Sequence, residues 1–349
     1  AVTERLRARW RVAAAGGNAV DVTRDLKRFA IDVATWLAMG VDVDTLRHPD
    51  NPLQGDVELW FATIGRRLSS PIPYWRWIRL PADRRAEVAR ERLRVTIEDL
   101  IAKARARLAA DPQRRENPAN ILEALLVARD EPDSEFTDDD VRGNVTTLLF
   151  AGEDTAANAM AWLMLHLALS PEPTAKAGAE ADAVLGEASL VERFADLDRL
   201  EYLEAAATES MRLKPVAPMI GATAFVDCEL AGLRVPRGQS VMMLQRPTAT
   251  DPAVFPEPYE FRPERWLGEH AERADDTHRR VFPFGGGPRY CPGRYLAMVE
   301  IKMVVAMALR EFRFALAEDP AKVVERFTFT LGPQALPIRF TPRGAAQAG

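Results

Sequence analysis

The stretch FTDDDVRGNVTTLLFAGEDTAANAMAWLMLHLALSP, residues 136–171, constrains this chain more than any other. Thr137 is placed as an N-cap. Three aspartates follow where the positive end of a helix dipole favours negative charge, and Pro171 stops the pattern. Between them runs one helix of about 33 residues, roughly 50 Å long at about 1.5 Å per residue. Its side chains are apolar nearly all round, so it should cross the interior with other elements covering it. One interruption stands out, the polar island Gly152-Glu153-Asp154-Thr155. Glycine in a helix interior costs about 1 kcal/mol relative to alanine, and buried acids cost more. Such an island is either a tolerated kink or is kept for a use.

The segments around it carry the same period. Residues 21–40 (DVTRDLKRFAIDVATWLAMG) have helical apolar spacing and end at a glycine. Residues 81–111 form a long charged amphipathic pattern whose arginines and glutamates read as a solvated face. Helices are expected near 171–187 and 199–213, and again from Pro292 to about Phe314. Between them the texture changes. From Ala222 to Met243 short β-like runs are separated by Gly232 and by the turn Pro236-Arg237-Gly238. A proline-rich stretch, DPAVFPEPYEFRPERW, and an irregular polar stretch, 267–281, follow. The order predicts a mostly α fold with a small β region rather than alternating βαβ units.

Composition closes other routes. Net charge is −5, which gives no global basic field for nucleic acid. Two cysteines provide no disulfide framework and fit a reducing, cytoplasmic setting. No apolar run reaches the ~18 residues of a membrane span. His48, His166, His270 and His278 form no spaced zinc motif. Cys228, in VDCELAG, reads as a plain strand residue.

Cys291 is different. It sits in FPFGGGPRYCPGRYLAMVE, after three glycines and directly before Pro292, a residue favoured in the first helical turn. Unpaired N–H groups and the helix dipole favour an anionic sulfur there. Gly285, Gly286, Gly287 and Gly293 let backbone approach a large flat partner, and Arg289 adds a cation.

The spacing Phe284-x-x-Gly287-x-Arg289-x-Cys291-Pro292-Gly293 resembles the haem-binding loop of the cytochrome P450 family, position for position. The resemblance implies haem b (iron protoporphyrin IX), with Cys291 as the metal ligand and Phe284, Gly285, Gly287, Arg289, Gly293 and Ala151 around the cofactor. Ala151-Gly152-Glu153-Asp154-Thr155 looks like the oxygen-activating kink of that family's central helix. In that reading Gly152 opens a groove for dioxygen, Thr155 hydrogen-bonds it and orders water, and Asp154 feeds protons inward. Glu153 takes the variable position, with no catalytic role. Glu209-x-x-Arg212 looks like the family's ExxR, with Arg265 completing a structural cluster that supports the haem loop.

The fold implied is the cytochrome P450 fold lacking its N-terminal part, a single domain over 1–349. Where a second propionate-binding arginine is often found, Ala222 stands, leaving Arg289. The function implied is a monooxygenase that inserts one oxygen atom from O2 into a lipophilic small molecule. Electrons would come from NAD(P)H through a separate ferredoxin, flavodoxin or reductase. Lys302, Arg294, Arg289, Arg279 and Arg280 are candidates for its docking patch. PVAPMIGA, after Arg212, is placed to supply apolar substrate contacts. Two other readings stay open: a peroxide-using haem-thiolate enzyme, and an incomplete or non-catalytic haem-binding chain.

Overall fold

A computed structural model of the chain describes residues 1–68, 70–268 and 281–344. The helices are α1 (Val2–Ala15), α2 (Val22–Met39), α3 (Leu53–Leu68), α4 (Pro81–Ala110), α5 (Gln113–Glu116), α6 (Ile121–Arg129), α7 (Asp138–Leu169), α8 (Pro171–Leu185), α9 (Phe194–Asp198), α10 (Glu201–Leu213), α11 (Gln245–Ala249) and α12 (Arg294–Glu311). Short strands carry the rest: β1 (Ala19–Asp21), β2 (Met219–Thr223), β3 (Cys228–Leu230), β4 (Leu233–Val235), β5 (Ser240–Leu244), β6 (Phe312–Leu316), β7 (Glu325–Phe327), β8 (Leu331–Pro333) and β9 (Pro337–Pro342). No described helix is long and apolar enough to cross a membrane.

The chain divides into two compact units, one of residues 1–161, 312–329 and 333–349, the other of 162–311 and 330–332. In the first, α2, α3, α4, α6 and the front of α7 share one apolar core, with Ile31, Phe61, Leu100, Leu122 and Val145 buried together. The α7 contribution is a row at four-residue spacing, Val141, Val145 and Leu149, as one helix face requires. Thr137 caps the helix reciprocally: its backbone N–H donates to Asp140 Oδ2 at 2.8 Å, and Asp140 N–H donates to Thr137 Oγ1 at 3.2 Å. The front half of α7 is covered on one side only, whereas Ala156–Leu165 is buried throughout.

Two glycines matter here. Gly40 stops α2 in the left-handed region at φ 65°, its N–H returning to the Trp36 carbonyl and the Val41 N–H to that of Thr35. A Cβ at Gly65 on α3 would stand 2.4 Å from the Thr328 carbonyl oxygen, so only glycine permits that approach. A small antiparallel sheet in the order β1-β9-β6 completes the unit, with Trp10 of α1 stacked 4.6 Å from Phe340.

In the second unit α10 packs with α8 and α12. Two ribbons, β2–β5 and β3–β4, stand beside them. The β3–β4 turn is a two-residue one, Ala231 and Gly232, both at positive φ.

Two helix limits differ from expectation. α12 starts at Arg294 rather than Pro292, because the first i→i+4 bond runs from Ala297 N–H to the Gly293 carbonyl. Gly293 is therefore the cap, and Cys291 lies two residues ahead of it. α12 ends at Glu311, and Phe312 already pairs in β6 against Pro342. The run EFRFAL alternates, and strand pairing wins over continued helix.

Candidate functional site

The Cys291 loop is built from local bonds. Gly285 and Gly287 hold positive φ, 71° and 63°, a backbone shape other residues adopt only at a cost. Gly285 N–H donates to the Phe282 carbonyl at 3.0 Å, and Tyr290 N–H donates to the Gly287 carbonyl at 3.1 Å. Cys291 N–H reaches back to the Phe284 carbonyl at 2.9 Å, closing the loop. Arg294 stacks its guanidinium 5.9 Å from both the Phe284 and Tyr290 rings and donates to the Tyr290 hydroxyl at 2.6 Å. The thiol is free and half-buried. A Cβ at Gly293 would come within 3.7 Å of its sulfur.

That donor set suits haem. Among the described residues no three His, Cys, Asp or Glu side chains gather as a metal site. A free zinc ion needs four donors. Haem iron brings its own four nitrogens and needs few donors from the protein, and a single cysteine sulfur in a glycine loop fits that need.

Behind the loop lies the charge cluster of α10. Glu209 and Arg212 are both fully buried and face each other in two parallel bonds, Nε to Oε2 and Nη2 to Oε1, each 2.8 Å. Arg265 Nε donates to the same carboxylate at 3.2 Å. Two further donors were not foreseen from the sequence: Trp266 Nε1 at 2.9 Å and the Arg262 backbone N–H at 3.1 Å. Arg212 also donates to the carbonyls of Ala249, Pro258 and Glu260, and lies 4.8 Å over the Phe255 ring. Trp266 packs against the buried cluster of Ala249, Phe255 and Val281, the last of which lies just before the cysteine loop. The loop, α10 and Trp266 together line a cavity of about 600 Å3 that includes Ala205, Phe284 and Tyr290.

The polar island of α7 lies in the first unit. The backbone there is unbroken α-helix. Thr155 is half-buried and its hydroxyl donates to the Ala151 carbonyl at 2.6 Å. A Cβ at Gly152 would meet Ala34 of α2 at 3.7 Å, an ordinary contact. Asp154 is buried and pairs with Lys27 of α2 at 2.8 Å. Lys27 also lies 3.8 Å from Glu58 of α3. Glu153 is fully buried, and neither of its carboxylate oxygens has a hydrogen-bond partner. Burial pushes its carboxyl well above the usual range, against the pull of Lys27. No spacing rule links position 27 to position 154, so Lys27 carried no signal in the sequence.

Elsewhere Lys302 corrects the docking-patch expectation. It is buried, donating to the Leu197 carbonyl at 2.9 Å and pairing with Glu204, because α12 turns that face towards α9 and α10. Arg289 and Arg294 are exposed; Arg279 and Arg280, like His270 and His278, lie outside the described residues. Cys228 is exposed in β3, opposite Val235. Ala222 is exposed in β2.

Comparison with known proteins agrees. The family model for cytochrome P450 matches residues 1–340. Rat cytochrome P450 4V2 is 30% identical over 303 residues, covering 81% of this chain and 56% of the rat protein. The cyclooctat-9-en-7-ol 5-monooxygenase of Streptomyces melanosporofaciens is 30% identical over 300 residues, covering 85% of this chain and 62% of its own. The chain thus spans about half the length of the curated relatives it matches. A crystal structure of a cytochrome P450 (CYP102L1) superposes with a TM-score of 0.79 at 26% identity, over 98% of this chain and 73% of that one. The chain belongs to the cytochrome P450 family.

Proposed function

We propose that this protein is a haem-thiolate monooxygenase that places one oxygen atom from O2 into a lipophilic small molecule. The observation that carries this reading is the lone half-buried thiol of Cys291 in its glycine loop, within a chain of a haem-binding family. Haem b, when bound, supplies the oxygen chemistry. Cys291 would hold it by its sulfur, Arg289 would pair with a propionate, and Phe284, Gly285, Gly287, Gly293 and Ala151 would lie around the ring. The Glu209–Arg212–Arg265 cluster, through Trp266, holds the backbone that the loop leans on.

Asp154 is the group that moves protons, Thr155 orders water beside it, and Gly152 leaves the helix wall bare for dioxygen. The Thr155 hydroxyl spends its proton on Ala151 and keeps lone pairs free to accept. Residues 1–349 are read as one P450-like domain. An apolar substrate is favoured by Met219, Met242, Met243 and Leu244, which stay exposed on the β2–β5 ribbon. The Streptomyces relative, by its name, is also a monooxygenase. Electrons come from NAD(P)H through a separate ferredoxin, flavodoxin or reductase.

The test is turnover of the haem-loaded full chain with a surrogate ferredoxin and reductase, a panel of lipophilic substrates and isotope-labelled O2. One labelled oxygen atom in the product is expected. Product formed with hydrogen peroxide alone, and none with the electron donor, would favour the peroxide-using reading instead.

A further inference from the structure

Glu153 continues the row Val141, Val145, Leu149 at four-residue spacing, a face of α7 that is otherwise apolar and buried. A residue that only filled space there would be apolar. An unpaired carboxyl in that place costs several kcal/mol if charged, and less if it keeps its proton. The charges of three groups act on it: Lys27 from α2, Glu58 from α3 and Asp154 on its own helix. Lys27 is committed to Asp154 at 2.8 Å and lies 3.8 Å from Glu58, whose side chain is 44% exposed and reaches solvent. The result is two adjacent buried carboxyls and one ammonium, which pairs with one of them. Neighbouring acids whose surroundings separate them in this way divide the roles of proton donor and proton acceptor.

We propose that Glu153 is a proton store for Asp154, and that Lys27 is the positioning residue which keeps Asp154 as the acceptor of the two. The two carboxyls share no hydrogen bond at rest, so the Glu153 side chain must rotate towards Asp154; the O–H bond of Glu153 then breaks and one forms on Asp154, with no change in total charge. Glu153 then regains its proton from solvent along the Lys27–Glu58 side. The inference rests on the proton-delivery role given to Asp154 above, and extends it to two residues with no role in that reading.

The first test needs no haem. Infrared titration of the full chain should show a protonated carboxyl band at neutral pH that Glu153→Gln removes. Its midpoint should rise in Lys27→Met, which removes the cation that favours the charged form. It should fall in Glu58→Gln, which removes a neighbouring negative charge that disfavours it. Absence of a band that Glu153→Gln removes, or a midpoint unmoved by both neighbours, would overturn the proposal.

The second test uses the haem-loaded protein. Glu153→Gln should lower kcat about tenfold, at the low end of proton-transfer effects, with KM unchanged and an altered solvent isotope effect. Lys27→Arg should keep most of the rate and Lys27→Met should lose it. An unchanged kcat in Glu153→Gln would overturn the store. A chain showing no thiolate-bound haem would instead refute the monooxygenase reading, while the infrared titration would still decide the proton's place.

Discussion

Replacing Glu209 by Gln is the sharpest probe of how the second unit is held together. The carboxylate accepts five hydrogen bonds, two from Arg212 and one each from Arg265, Trp266 and the Arg262 N–H. The amide has the same shape but turns an NH2 group towards these donors. Arg212, with no exposed side chain, would keep its charge and lose its counter-ion. Breaking a buried pair in this way costs about 3–5 kcal/mol. At about 2–4 °C per kcal/mol for a unit of this size, the melting temperature of the full chain should fall by about 10 °C. The paired variant Glu209→Gln with Arg212→Met carries no buried charge, yet should recover little. Its three orphaned carbonyls, Ala249, Pro258 and Glu260, each cost about 1–3 kcal/mol. Thermal unfolding followed by circular dichroism reads both. A loss below about 1 kcal/mol in Glu209→Gln, the value of an exposed pair, would refute the reasoning.

Other outcomes follow from single residues. His166 is half-buried, stacked 4.9 Å from Phe261 and bonded to Ser210, and desolvation with Lys214 and Arg212 nearby lowers its pKa to about 3. The unfolded chain takes up that proton near pH 6.5 and the folded chain does not, so this contribution to stability is intact above 6.5 and declines as pH falls towards about 3. The urea-unfolding advantage of the native chain over His166→Phe should shrink by about 2 kcal/mol between pH 6.5 and 5, at about 1.4 kcal/mol per pH unit; a constant difference would contradict this. Gly65→Ala should cost about 1–3 kcal/mol in the same assay, because its methyl meets the Thr328 backbone rather than a yielding side chain. Thr137→Ala, which removes one arm of the α7 cap, should cost about 1 kcal/mol.

Much of this could be read in one dimension because it obeys short-range periods. Thr137 and Pro171 bracket α7, and Gly40 ends α2, for reasons of cap and backbone geometry that local residues decide. The i, i+3 spacing of Glu209 and Arg212 put both charges on one face of α10, and their ion pair is formed there. What could not be read depends on distant partners. The strand β1 exists only because β9 lies beside it. Lys302 read as a surface cation until α9 and α10 covered it. Glu153 read as a variable position, although its four-residue step from Leu149 was a signal of burial that could have been counted. Lys27 became a partner of Asp154 only when α2 was laid against α7.

The central claim is that Cys291 holds a haem by its sulfur. The carbon monoxide difference spectrum of the reduced, haem-supplied full chain addresses it most directly. A strongly red-shifted Soret band that disappears in Cys291→Ala is the predicted result. A haem band without that shift, or a shifted band that survives Cys291→Ala, would contradict the assignment.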